Sequence, residues 1–115
     1  MLEVQTRTED EICIVTIEGE VDLYSSPQLR TVLLELTKKR TNAILVDLQK
    51  VKYMDSSGVA TLVEALQQVK KYNGNLKLVN LRDAVKDVFE LSRLDKVFSV
   101  HNSIPDASKA FKLGT

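Results

Sequence analysis

The apolar positions of the chain fall into short runs with two different spacings. Residues 2 to 6 and 12 to 18 have strand character, with Ile12, Ile14, Val15 and Ile17 supplying β-branched side chains and Glu9-Asp10-Glu11 a polar break between the runs. This pair predicts a hairpin at the N-terminus. Gly19 and Ser25-Ser26-Pro27 then punctuate a loop, and Pro27 suits the first position of a helix that Leu29, Val32, Leu33 and Leu36 mark out as far as Arg40. Ala43 to Leu48 is almost continuously apolar, interrupted only by Asp47, which predicts a central strand buried on both faces between parallel neighbours. Val59, Leu62, Val63, Leu66 and Val69 repeat at helical spacing until Asn73-Gly74. Leu76 to Val79 reads as a strand, Arg82 to Leu91 as a third helix through Val85, Val88 and Phe89, Val97 to Val100 as a short last strand, and Ile104 to Phe111 as a closing helix.

Alternation of strand and helix is the pattern of parallel β-α-β units with right-handed crossovers. The expectation is therefore one α/β domain over residues 1–115. Its sheet is mixed, with four to five strands that are mostly parallel, an N-terminal hairpin strand at one edge, and about four helices. No internal repeat, low-complexity tract or linker interrupts it.

Composition narrows the function. A chain of 115 residues can bury a core without disulfides or metal. Sixteen basic and sixteen acidic residues cancel, which disfavours direct binding of nucleic acid through a global field. Cys13, the single cysteine, lies between Ile12 and Ile14 and reads as a small buried hydrophobe. No segment approaches the length of a membrane span and the N-terminus lacks a leader pattern, so a cytoplasmic setting without membrane insertion is expected.

The most informative residues are Tyr53-Met54-Asp55-Ser56-Ser57-Gly58-Val59, which join an apolar strand to an amphipathic helix. The first turn of a helix leaves backbone N–H groups without internal partners and carries the positive end of the macrodipole, so an oxyanion is favoured there. Asp55, Ser56 and Ser57 are also good N-cap residues, and a cap contributes about 1 kcal/mol, so structural punctuation is the plain reading of these residues taken alone. Further along the same helix, Ser57, Thr61, Glu64, Gln68 and Lys71 form a polar stripe opposite the apolar one. A solvated face is the ordinary reading of such a stripe, and its continuity with the serines makes it a candidate docking surface.

Catalysis finds little support. Ser56 lacks the Gly-x-Ser-x-Gly elbow of an activated serine, and the only histidine, His101, belongs to a late segment. One histidine with one distant cysteine offers no metal-ligand cluster, and Gly58 alone is no phosphate-cradling loop. A recognition site on a rigid scaffold is the better reading, because loops at the C-terminal ends of parallel strands are where such sheets carry function.

In order along the chain, Gly19-Glu20-Val21-Asp22, Ile44-Leu45-Val46-Asp47-Leu48, Tyr53-Met54-Asp55-Ser56-Ser57-Gly58 and Leu94-Asp95-Lys96-Val97-Phe98 resemble the bacterial anti-sigma factor antagonists. These are stand-alone members of the sulphate transporter and anti-sigma antagonist (STAS) domain family. The resemblance implies partner switching. An unmodified antagonist binds an anti-sigma factor that is also a serine kinase and so frees the sigma factor, and phosphorylation reverses the binding. It further implies that the first hydroxyl after the acid, Ser56, accepts the phosphate, and that Asp22 is the acidic residue on the loop facing it. Asp22, Asp55, Ser57, Gly58, Thr61 and Glu64 are then the candidate partner-binding residues. ATP and magnesium would belong to the kinase, the chain itself would hold no cofactor, and a metal-dependent serine phosphatase would restore the alcohol. Val59-Ala60 departs from the Leu-Gly pair that many members carry at this point. The alternative within binding modules is a non-enzymatic scaffold subunit, similar to the small STAS component of a lipid-transport ATPase, in which the serines are only caps.

Overall fold

The computed structural model describes residues 2–114. Its elements are β1 (Glu3–Glu9), β2 (Ile12–Val21), α1 (Ser26–Lys38), β3 (Ala43–Met54), α2 (Ser56–Lys70), β4 (Asn75–Val79), α3 (Asp83–Leu91), β5 (Ser99–His101) and α4 (Ile104–Leu113), with a single 3-10 turn at Leu94–Lys96. The strands stand in chain order, β1 antiparallel to β2 and the rest parallel. Asp10 and Glu11 make the hairpin turn with both φ angles positive, at 50° and 67°, as a two-residue loop with the sheet's twist requires.

Crossovers of one hand that step the same way along a sheet put their helices on one face. α1, α2 and α3 accordingly share the main core, where Leu29, Leu33, Leu62, Leu66, Val85 and Phe89 pack on Val15, Ile17, Ile44, Val46 and Leu78. α4 covers part of the opposite face, seating Ala107, Ile104 and Phe111 on Ile14, Leu45 and Val79. Ile44 to Leu48 are all buried because both faces of β3 are covered there, as the apolar run predicts. Cys13 is buried, and loss of solvent raises its thiol pKa, in keeping with a packing role.

Three boundaries differ from the sequence reading. β3 runs to Met54 rather than stopping at Leu48, and β2 runs to Val21. Beyond Leu48 the buried positions of β3 are Val51 and Met54, a repeat of three, because β3 carries an extra residue against β2 twice: Thr16 to Glu18 pairs with Asp47 to Lys50, and Gly19 to Glu20 with Val51 to Tyr53. Such bulges bend a strand and break its alternation. Gly19, with φ of 118°, sits beside the second bulge in a conformation that favours glycine. Thirdly, the last strand is Ser99–His101, and Leu94–Lys96 is the 3-10 turn that leads Phe98 into the core, edge-on to Phe89 at 5.5 Å. At the end of α2 the left-handed residue is Asn73, with φ of 64°, whereas Gly74 is buried where a Cβ would meet the Asn42 carbonyl oxygen at 3.1 Å.

Candidate functional site at the ends of strands β2 and β3

The paired, bulged ends of β2 and β3 extend past the end of β4 and carry Asp22 and Asp55 side by side. Val21 pairs with Met54, and the Val21 carbonyl accepts the N–H of Asp55 at 3.0 Å. Each acid then organises the first residues of the element that follows.

Asp22 closes the loop into α1. Its Oδ1 accepts the N–H groups of Tyr24 and Ser25, both at 2.9 Å, while its own N–H donates to Ser25 Oγ at 2.9 Å and that hydroxyl donates to the Glu20 carbonyl at 2.8 Å. The Ser25 N–H above all, with the Tyr24 N–H, holds the Asp22 carboxyl below its ordinary value, against the desolvation that raises it. This carboxylate oxygen is thus engaged within its own loop.

Asp55 is the N-cap of α2. It has extended backbone (φ −101°, ψ −172°), and its Oδ1 accepts from Ser57 N at 2.9 Å and Gly58 N at 3.4 Å. Gly58 is buried at a close approach, since a Cβ there would lie 2.7 Å from both Met54 Cγ and Val21 Cγ1. The first turn of α2 can therefore press on the strand ends only through glycine. Ser57 is half-buried, with its N–H on Asp55 and its carbonyl accepting the Thr61 hydroxyl at 2.9 Å.

Ser56 is different. It occupies the first helical position and is exposed, and no group among the described residues hydrogen-bonds its hydroxyl. Its neighbours supply the cap, the close packing and the first-turn bonds, whereas the Ser56 hydroxyl makes no internal contact of that kind.

The polar stripe of α2 needs correction. Its middle lies along α1: Thr61 is buried, and Glu64, still partly exposed, accepts two bonds from the Arg30 guanidinium of α1 at 2.7 and 2.9 Å, while Lys71 at the far end is exposed. The bonds from Arg30 lower the Glu64 pKa, and those to Glu64 raise the Arg30 pKa. A helical wheel drawn against the sheet alone cannot register a second helix alongside. The outward face of α2 is instead Ser56, Ala60, Gln67 and Lys70, about a quarter-turn away.

Two apolar exposures at this end are not marked by the strand and helix periods of the sequence. Leu23 and Tyr24 project from the Asp22 loop with 66% and 90% of their surface exposed, and Tyr53 is 50% exposed on β3. The sequence signal for Leu23 and Tyr24 is an apolar pair inside a loop, off any strand or helix period. Among the described residues no group of three His, Cys, Asp or Glu is arranged to hold a metal ion, and no helix is long and apolar enough to cross a membrane.

Fold and junction together define a class: a small α/β domain that presents a capped helix N-terminus between two acidic strand ends. The STAS domain pattern matches residues 3–107, and the chain belongs to that family. An anti-sigma-B factor antagonist of Staphylococcus aureus is 31% identical over 100 residues, covering 87% of this chain and 93% of that protein. Among solved structures, an anti-sigma factor antagonist from Mycobacterium paratuberculosis superposes with a TM-score of 0.89 at 24% identity, covering 96% of this chain and 93% of the other. The Bacillus cell fate determinant SpoIIAA in its phosphorylated form superposes with a TM-score of 0.73 at 19% identity, covering 94% of this chain and 99% of the other. At these identities the solved structures establish the likeness of fold.

Proposed function

We propose that the chain is an anti-sigma factor antagonist controlled by phosphorylation of Ser56. In the unmodified state it binds an anti-sigma factor that doubles as a serine kinase, freeing a sigma factor in the cytoplasm. ATP and magnesium come with the kinase, and a metal-dependent serine phosphatase resets the switch. The chain itself is a binding module and not an enzyme.

The observation that carries this reading is the exposed, internally unbonded hydroxyl of Ser56 at the start of a helix whose other first-turn residues all have structural tasks. The Staphylococcus aureus relative, an anti-sigma-B factor antagonist by name, supports it. So does the fold shared with SpoIIAA, a protein solved in a phosphorylated form.

Physical chemistry indicates why a phosphate there acts on association and spares the fold. A phosphoserine carries roughly −1.5 to −2 charges at neutral pH. The N-terminus of α2 favours that charge by about 0.3 to 1 kcal/mol, and Asp55 close by opposes it, so the two largely offset within the domain. In a complex the dianion must shed water, and any like charge about 4 Å away repels it by about 4 kcal/mol for each unit of its charge at an effective dielectric near 20. A net loss of about 2 to 4 kcal/mol weakens binding roughly 30-fold to 1,000-fold.

Incubating the chain with candidate anti-sigma kinases and ATP tests the assignment. Stoichiometric phosphate on Ser56, lost in Ser56→Ala and retained in Ser57→Ala, is the expected outcome. Incorporation that survives Ser56→Ala and disappears in Ser57→Ala would move the site by one residue. Stable binding to a transport ATPase without any modification would favour the scaffold role.

A further inference from the structure

The two edges of the sheet are unlike. β5 is three residues long, whereas β1 runs for seven, Glu3–Glu9, all of them exposed except Val4. Long bare edges are ordinarily blunted by a proline, a bulge or a charge turned toward the core side. β1 has no proline, pairs with β2 residue for residue, and turns Val4, Thr6 and Thr8 toward the side of the sheet that carries the main core. The hairpin turn decides which of its backbone groups face outward. A two-residue loop with both φ angles positive closes on a hydrogen-bonded pair, Glu9 with Ile12, so Glu3, Gln5, Arg7 and Glu9 bond inward to β2. Val4, Thr6 and Thr8 therefore direct their N–H and C=O groups away from β2, along the open edge.

Charge lies on the other side of the strand. Glu3, Gln5, Arg7 and Glu9 share the face that carries Glu18 of β2 and Lys50 of β3. Glu3 stands directly across from Glu18, a like-charge pairing that destabilises a ladder, while the Lys50 ammonium reaches Glu18 at 3.6 Å. Read across the sheet, this row is cation, anion, anion, and it stops at the open edge. Arg7, on the same face of β1, is half-exposed, with Nε 3.3 Å from Glu9 and Nη1 donating to Thr16 at 3.3 Å. A guanidinium has five donors, so it can serve a further carboxylate as well.

A strand that joins this edge must bring outward backbone groups of its own and a cation opposite Glu3. A second copy of β1, antiparallel about a twofold axis, brings both, provided outward residues meet outward residues. Centring the pair on Thr6 sets Glu3 against Glu9 at both ends, centring it on Arg7 sets Arg7 against itself, and centring it on Val4 leaves Arg7 beyond the overlap. Centring it on Gln5 instead exchanges backbone bonds between Val4 and Thr6 and sets Glu3 opposite Arg7, each pairing occurring twice. Glu3 and Arg7 then form a non-hydrogen-bonded pair, the kind whose side chains lie closest. The row across the sheet becomes Lys50, Glu18, Glu3 and Arg7 of the second copy. We propose that the chain forms a twofold homodimer by pairing β1 with β1 in the Gln5-centred register, joining two five-stranded sheets into one. Because the joined strands run oppositely, the two Ser56 ends point away from each other and stay open, and the inference is independent of the function proposed above.

Sedimentation equilibrium of the full chain reads the dimer directly. A single strand pair is a small interface, so the dissociation constant is expected at roughly 10–100 μM, within reach of a series running to about 1 mM. Thr6→Pro removes an outward N–H that β2 does not use, and should be monomeric throughout with a melting temperature within a few degrees of the parent. Glu3→Arg and Arg7→Glu should each weaken dimerisation about tenfold or more, and the double variant, which restores an opposite-charge pair, should recover most of that loss. The charge reversals decide alone should Thr6→Pro not fold. A parent that stays monomeric to about 1 mM overturns the inference. So does a dimer that Thr6→Pro leaves intact, since its interface lies elsewhere, and so does a dimer strengthened by Glu3→Arg, which would place Glu3 opposite Glu9.

Discussion

Gly58→Ala probes the seat of the functional helix most sharply. The added methyl would stand 2.7 Å from Met54 Cγ and from Val21 Cγ1 and 3.2 Å from Val21 Cβ. Neither neighbour can retreat easily, since both are fully buried, Val21 is β-branched with few rotamers, and the contact on Met54 falls near the root of its side chain. Overpacking of this kind costs about 1–3 kcal/mol. Replacing glycine by alanine in a helix returns at most about 1 kcal/mol, and less in a first turn. The expected net loss is about 1–2 kcal/mol. With an unfolding entropy of about 2.1 cal/mol/K per residue, this domain should lose about 4 °C per kcal/mol, or about 4–8 °C in all. Calorimetry and urea unfolding measure it directly. In a Val21→Ala background, where one of the two crowded side chains is trimmed, the same substitution should cost measurably less. A Gly58→Ala protein as stable as the parent, or more so, would mean that helix propensity wins and that the close approach of α2 to the strand ends does not hold.

Other perturbations separate the roles of the neighbouring residues. Asp55→Ala removes the cap on the Ser57 and Gly58 N–H groups and should cost about 1 kcal/mol in chemical denaturation, with Asp55→Ser recovering most of it. Glu64→Gln, which removes the charge opposite Arg30 on a largely exposed pair, should change stability less than Gly58→Ala, and the difference should shrink further as salt is added. His101, the only histidine, touches Ser99 Oγ at 2.8 Å from β5 and faces Lys77 of β4 and Asp106 of α4; burial first and Lys77 second depress its pKa, against the pull of Asp106. A histidine with a depressed folded pKa leaves the unfolded chain binding more protons, so stability should be full above the ordinary value of 6.5 and fall as pH drops from there through the lower folded value. Melting temperatures followed downward from neutral pH should show this fall, and His101→Gln should flatten it.

Much of the fold is legible in the sequence because the driving patterns are local. The apolar run at Ile44–Leu48, the helical repeats of Leu29–Leu36 and Val59–Val69, and Pro27 at a helix start each specify one element without help from the rest. The misreadings arise where a second element decides. The far half of β3 has a spacing of three, set by bulges against β2, so residues 49–54 resemble neither strand nor helix. Thr61 looks like a surface residue until α1 is placed beside α2. At the site, Asp55-Ser56-Ser57-Gly58 is recognisable as a junction, but cap and close packing divide its residues only in three dimensions. The Gly58 contact with Val21 joins positions 37 apart in sequence, and the Asp22 turn that fixes Tyr24 is a hydrogen-bond pattern that composition does not reveal.

The most direct measurement compares unmodified and Ser56-phosphorylated chain in one calorimetric series, titrating each into the cognate anti-sigma factor and melting each alone. The prediction is a 30-fold to 1,000-fold loss of affinity on phosphorylation, about 2 to 4 kcal/mol, with the melting temperature moved by no more than a few degrees. Equal affinity of the two forms, or a phosphorylated chain that has lost its helical signal, would contradict the account.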